Sequence, residues 1–347
     1  MIKLSFDKKI VKNGPCFIIA EAGVNHNGSL TIAKKLVDIA VEAKADAVKF
    51  QTFIADEIIL KKAPKARYHV ETTDSDKKQS WYELLKSQEI SRDMHKELIK
   101  YCRIRKIIFM STPYDYKSCD LLDDLGVEIF KIASTDANNF KFIDYISKKK
   151  KPVILSTAMA NIEEVDISYK ILKKNLKDQF AIMQCTGSYP APTEDANLNV
   201  IKSYKERFQC HIGYSDHVVD NCAALAATAI GISCYEKHIT VNKKLPGPDH
   251  RASMEKKEFI KLVNDIRKVE MILGSYHKKL SKSELPNVKK LRKYLVAKIN
   301  IFKGDELNKY NMNFKRTGGR GISAGNYYKI KGKKVKRNFT KDQIIKL

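Results

Sequence analysis

The chain is 347 residues long, 43% hydrophobic and 30% charged, with a formal net charge of +25 at pH 7. It is too long for a single domain of ordinary size, yet fits a barrel of about 250 residues with a small appendage. The apolar content suffices for a real core, which excludes fibrous, collagen-like, disulfide-scaffold and compositionally disordered chains.

At the N-terminus MIKLSFDKKIVKNG alternates like a strand and turns at Asn13 and Gly14. It has neither an apolar signal segment nor a small-residue cleavage site, so the chain is expected to be cytoplasmic. The longest nearly apolar run, Ala223 to Tyr235, is broken by Thr228, Gly231 and Ser233. It falls short of the ~18 to 20 residues of a membrane span, so no membrane partner is expected. Seven cysteines, at 16, 102, 119, 185, 210, 222 and 234, stand singly with no C-x-x-C. That pattern fits a reducing compartment and argues against a zinc ribbon.

From Cys16 onward, short apolar runs alternate with amphipathic stretches, eight times over. The predicted strands are CFIIAE (16–21), AVKFQ (47–51), IIFMST (107–112), IFKIAS (129–134), PVILST (152–157), FAIMQC (180–185), CHIGYS (210–215) and CYEKHI (234–239). Nearly continuous hydrophobicity marks parallel strands buried on both faces, with crossover helices between them. One such helix starts at Ser29, a good N-cap, and sets Leu30, Ala33, Leu36, Val37 and Ala40 on one side. No G-x-G-x-x-G or P-loop opens any helix, which favours a closed (β/α)₈ barrel, the TIM barrel, over a doubly wound sheet.

Past Met271 the rhythm stops. Residues 1–273 are read as the N-terminal hairpin and barrel, 274–287 as a polar linker, and 288–347 as a small β-rich unit built from LVAKINI, NMNFKR and GKKVKRNFT. From Val288 on there are 18 Lys or Arg against 3 Asp or Glu, so +15 of the +25 lies there. No nucleic-acid motif or aromatic-interleaved basic stripe accompanies that charge, so nucleic acid is not an expected partner. A positive field that draws in an anionic small substrate is an equal account of it.

In such barrels the chemistry sits at the C-terminal ends of the strands. Those ends carry Glu21, Lys49, Gln51, Ser111, Thr112, Lys131, Ser134, Ser156, Thr157, Cys185, Thr186, Ser215, Asp216, His217, Glu236, Lys237 and His238, with Ser188 and Tyr189 just beyond. Each alone is as well explained by a structural ion pair or a core hydrogen bond. Together, Lys49, Lys131 and Lys237 at buried strand positions call for anions, and the hydroxyls of Ser111, Ser134, Ser156 and Ser215 complete a donor set for phosphate or carboxylate. His217 and His238, on adjacent strands, are too few for a closed zinc site. They could hold one open-sided divalent cation, or be two ordinary core histidines.

The motifs IIAEAGVNHNGSL, VKFQTF, FMSTPYD, FKIAS, ILSTAMA, CTGSYPAPTEDANLNVI, IGYSDH, EKHITVNKKLPGPDHRASM and LVAKINIFKGDEL with FKRTGGRGIS, in this order, resemble the sialic acid synthase family over nearly the whole chain. The resemblance implies a (β/α)₈ TIM barrel followed by an antifreeze-like (SAF) domain, and a homodimer in which exchanged small domains cap the neighbouring active sites. It implies condensation of phosphoenolpyruvate with an N-acyl amino sugar and water, releasing phosphate by C–O cleavage. N-acetylmannosamine giving N-acetylneuraminate is the first expectation for the acceptor, and a 6-deoxy diacetamido sugar giving legionaminate or pseudaminate the alternative.

By the same resemblance His217 and His238 are the metal ligands, for manganese, with magnesium or cobalt as substitutes. Lys49, Thr112, Lys131, Ser134, Ser156 and Ser215 bind phosphoenolpyruvate. Glu21, Gln51 and Asp249 face the reacting carbons or the sugar as catalytic residues, with Tyr189 beside them, and Arg316 reaches the N-acyl group, a role Arg320 could also fill. Three departures lie near the sugar: Ser134-Thr135-Asp136 for Ser-Gly-Glu, Ala158-Met159 for Gly-Met, and Arg316-Thr317-Gly318-Gly319-Arg320-Gly321 for a tighter Arg-Pro-Gly-x-Gly. Two rivals make other predictions: a basic nucleic-acid-binding protein shows salt-steep binding and no phosphate release, and a lyase-type aldolase is trapped by borohydride with pyruvate.

Overall fold

A computed structural model describes residues 14–65 and 79–347. The expected N-terminal strand before Gly14 lies outside the described residues. The chain divides into two compact units, one ending at Gly274 and the other spanning Ser275–Leu347.

The first unit is a closed barrel of eight parallel strands in sequential order. They are β1 Phe17–Gly23, β2 Ala47–Thr52, β3 Ile108–Pro113, β4 Phe130–Ile132, β5 Val153–Ser156, β6 Phe180–Cys185, β7 His211–Asp216 and β8 Cys234–His238. Helices follow each strand in turn: α1 Leu30–Glu42, α2 Arg92–Arg105, α3 Tyr116–Asp124, α4 Phe140–Ser147, α5 Ile162–Leu176, α6 Asn199–Arg207, α7 Cys222–Ile230 and α8 Lys256–Leu273. Closure comes from β1 pairing with β8, Glu21 opposite His238. The cap of α1 is the expected Ser29, whose side chain accepts from the Ile32 N–H at 3.3 Å.

Alternation along each strand sorts two cores. Phe17, Ile19, Ala47, Met110, Ile129, Ile154, Ala181, Met183 and Cys234 plug the barrel's interior. Their neighbours in sequence, such as Ile18, Ala20, Val48, Leu155 and Ile182, pack outward beneath the helices. A Cβ at Gly213 would lie 2.4 Å from Cys234 Sγ and 2.7 Å from its carbonyl oxygen, so only glycine fits the plug at that point.

The same parity corrects part of the sequence reading. Ser111, Asp216 and Lys237 fall on outward positions and do not face the barrel mouth. Ser111 bonds Thr52 Oγ1 at 2.6 Å, which in turn bonds His95 of α2. Lys237 meets Asp216 at 3.2 Å and donates to the Val218 carbonyl, while the Tyr235 hydroxyl donates to the same carboxylate at 2.7 Å. The anion that Lys237 requires is thus its own neighbour on β7. Asp216→Ala is expected to cost about 3 kcal/mol of stability by leaving that ammonium buried and unpaired, as urea unfolding will register.

In the second unit β9 Lys293–Ala297 pairs antiparallel with β10 Met312–Arg316, Leu295 opposite Phe314. A compact core gathers Leu295, Ala297, Ile301, Leu307, Met312, Ile330, Val335, Phe339 and Ile345. GKKVKRNFT joins this β-rich unit through isolated bridges, Ile301 with Phe339 and Glu306 with Lys334, and not as a continuous strand. Only Val335 and Phe339 of that run are buried, too few and too far apart to sustain a half-buried strand.

Candidate active site

Above the apolar plug, the inward positions turn polar. The parallel registers set Glu21 beside Lys49, Gln51 beside Thr112, and Ser215 beside Glu236. They open into a cavity of about 810 Å³. Glu21, Lys49, Gln51, Thr112, Lys131, Ser134, Ser156, Tyr189, Ser215, His217, His238 and Asp249 all line it. Ser111, Asp216 and Lys237 do not line it, and one residue the resemblance implied, Arg316, belongs to another part of the chain. It ends β10 in the second unit, exposed, with its Nε donating to the Leu291 carbonyl at 3.3 Å.

Four charges form the floor. Lys49 Nζ lies 2.7 Å from Glu21 Oε2 and 3.6 Å from Glu236 Oε2, and Lys131 Nζ lies 3.7 Å from Glu236 Oε1. Hydroxyls order both ammonium groups: Lys49 donates to Thr112 Oγ1 at 3.0 Å and Lys131 to Ser156 Oγ at 2.7 Å. Ser215 Oγ donates to Glu236 at 3.2 Å, and Gln51 Nε2 to Glu21 Oε1 at 3.3 Å.

Two carboxylates compete here for Lys49, and only Glu236 has a second lysine. Burial opposes its charge, yet Lys131 and Lys49 hold Glu236 below the ordinary carboxylate range. Burial wins at Glu21, pushing it up to about 7 in spite of Lys49. Burial also lowers Lys131, while at Lys49 the two carboxylates outweigh burial and raise it. Environments that drive neighbouring carboxyl groups apart mark one of them as a proton carrier near neutrality.

On the β7–β8 side the His217 and His238 rings lie 5.6 Å apart between centroids. His217 Nδ1 is 2.7 Å from the Thr186 carbonyl oxygen, which can only accept, so the ring's proton sits there and Nε2 keeps its lone pair. Burial first, and then the positive groups around it, push His238 well below its usual value, so its imidazole is neutral. Its Nδ1 is buried without a hydrogen-bond partner, 4.0 Å from Asp249 Oδ2. The Tyr189 ring packs against both, 4.0 Å from His217 and 5.7 Å from His238. Burial pushes Asp249 up to about 6. Among the described residues no cluster of three or more His, Cys, Asp or Glu can hold a metal. Two imidazoles facing one another, one of them neutral and with an orphaned buried nitrogen, fit a cation completed by water and substrate.

The remaining wall of the cavity was not anticipated. Phe53, Ile58, Ile59, Leu60, Trp81, Leu84 and Leu85 line it, all from the segment between β2 and α2. Asp136 and Met159 also face the cavity. A signal for the wall was present: Ser80-Trp-Tyr-Glu83 is a capping box, and it starts the helix Trp81–Ser87.

Comparison with protein-family models matches residues 36–278 to the NeuB family. The chain belongs to the NeuB family. Members of this family condense phosphoenolpyruvate with an amino sugar, and this chain is an enzyme of that class. The N,N'-diacetyllegionaminic acid synthase of Campylobacter jejuni is 43% identical over 331 residues, covering 95% of this chain and 98% of its own length. The synthase of the same name from Legionella pneumophila is 39% identical over 329 residues, with 94% and 92% covered. The solved N-acetylneuraminic acid synthetase of Leptospira borgpetersenii, crystallised with citrate, is 34% identical over 80% of this chain and 91% of that one, with a TM-score of 0.69. The two legionaminic acid synthases are more similar to this chain than the N-acetylneuraminic acid synthetase is, which favours the acceptor that the sequence reading placed second.

Proposed function

We propose that this NeuB-family synthase joins phosphoenolpyruvate to a 6-deoxy diacetamido hexose, giving a nine-carbon 2-keto acid of the diacetyllegionaminate type and phosphate. The observation that carries the acceptor is the apolar wall of Phe53, Ile58, Ile59, Leu60, Trp81, Leu84 and Leu85. Acetamido methyls and a 6-deoxy methyl gain by contact with it, whereas the C6 hydroxyl of N-acetylmannosamine finds an apolar surface. The legionaminic acid synthases among its relatives support the same choice.

In this reading Lys49, Lys131, Thr112, Ser134, Ser156 and Ser215 bind the carboxylate and phosphate of phosphoenolpyruvate, their donors already ordered. His217 and His238 hold the divalent cation that the family generally uses; when bound, it supplies Lewis-acid polarisation of the acceptor's aldehyde. Tyr189, Gln51 and Asp249 orient the open-chain sugar so that its aldehyde carbon faces C3 of the enol ester. When C3 attacks that carbon, C2 becomes electron-poor and adds water. Glu21 accepts the water proton, and phosphate leaves with its bridging oxygen. Arg316 belongs to the same proposal, reaching the N-acyl group of a sugar held in a second copy's barrel.

Steady-state phosphate release with manganese and phosphoenolpyruvate tests the acceptor. A kcat/KM preference of about 10²-fold for the 6-deoxy diacetamido sugar over N-acetylmannosamine is expected, the scale a hydrophobic pocket achieves. The reverse preference would return the chain to the N-acetylneuraminate reading.

A further inference from the structure

After β5 the chain reverses over Thr157 to Ala160, closed by the Ala160 N–H donating to the Thr157 carbonyl at 3.3 Å. The third residue of this turn, Met159, sits at φ +62°. A type II turn demands positive φ at that position, and glycine meets the demand without crowding a Cβ against the following carbonyl. Neighbours fix the strained backbone. The Ala158 N–H donates to Ser134 Oγ at 3.0 Å, and Thr157 Oγ1 donates to the Met183 carbonyl at 2.8 Å.

The side chain held this way contributes to neither core. Met159 is 71% exposed and lines the cavity. The loop after β6 accommodates it with Gly187, where a Cβ would stand 3.2 Å from Met159 Cγ and 3.4 Å from Sδ. Folding alone would be served better by glycine at 159, and strain kept at a cavity rim points to the ligand.

We propose that Met159 is an acceptor-binding residue whose thioether seats a methyl group of the sugar. A flexible, polarisable, unbranched side chain suits such a contact. The inference deepens the proposed function and rests on it.

The test is steady-state kinetics of wild type, Met159→Ala, Met159→Gly and Met159→Leu with both acceptors, with the KM for phosphoenolpyruvate and the melting temperature measured alongside. Met159→Ala and Met159→Gly should raise the acceptor KM about tenfold and leave that for phosphoenolpyruvate within about twofold, while Met159→Leu keeps the wild-type acceptor KM. Met159→Gly should melt no lower than wild type, separating the contact from the fold. An equal loss on both sugars assigns the shared acetamido methyl; a loss on the 6-deoxy diacetamido sugar alone assigns a methyl that only it carries. An unchanged acceptor KM in both truncations overturns the proposal. A wild type that uses N-acetylmannosamine alone overturns the acceptor reading, and the Met159→Ala comparison on that sugar still decides this one. A wild type inert toward both sugars overturns both.

Discussion

Alanine at both His217 and His238 is expected to lower metal-dependent phosphate release by at least about 10³-fold, the several kcal/mol that a Lewis acid supplies. The pair is made by strand register: Asp216 opposite Lys237 brings the following histidine and its counterpart on β8 together at the mouth, rings 5.6 Å apart. Each imidazole is prepared in its own way, one by the Thr186 carbonyl that fixes its tautomer and the other by burial that keeps it neutral. Among the described residues no group of three protein ligands gathers there, so the double variant should lose the two nitrogens on which the assignment rests. The apolar plug of Phe17, Ile19, Met110 and Met183 contains neither histidine, so the barrel should still fold. Manganese binding followed by electron paramagnetic resonance checks the claim without turnover. Binding to the folded double variant as tight as to wild type would reject the assignment.

The strands were legible because both faces of each are buried, which makes the apolar runs long and unbroken. That same double burial hides parity. Hydropathy does not distinguish Glu236, which faces the cavity, from Lys237, which packs under the helices; both are buried charges with a charged partner, Lys131 across the barrel on β4 for the first and Asp216 on the adjacent β7 for the second. Thr112 and Ser111 divide likewise, the first to Lys49 and the second to Thr52. One inward anchor settles the matter: with Glu21 inside, its register with Lys49 and His238 orients both neighbouring strands. The wall from Phe53 to Leu85 escaped notice for a different reason. It belongs to neither the strand rhythm nor a charged motif, and its one punctuation mark was the cap at Ser80. Met159 was marked in the sequence only by Ala158 before it, where the resemblance has glycine; its strained backbone left no trace, because an αL methionine looks like any other methionine in a sequence.

Glu21→Gln separates chemistry from architecture at the other end of the site. Accepting a water proton requires the carboxylate, so with Glu21 at about 7 the wild-type rate should fall as pH drops through neutrality. The amide keeps the shape and the contact with Gln51, and should lower kcat by about 10² to 10⁴ while erasing that acid limb. Stability runs the other way. Burial raises Glu21 from the ordinary 4.5 to about 7, so the folded chain binds its proton more tightly than the unfolded one. The stabilisation this gives is complete below about 4.5 and is lost as pH rises through about 7. Over that window the unfolding free energy of wild type should therefore decline relative to Glu21→Gln, by up to about 3 kcal/mol. Opposite slopes in rate and stability, both absent from the variant, identify one group as their source. An acid limb that survives in Glu21→Gln near pH 6 would instead assign the proton to another cavity carboxylate that burial lifts, Asp249 at about 6 or Asp136.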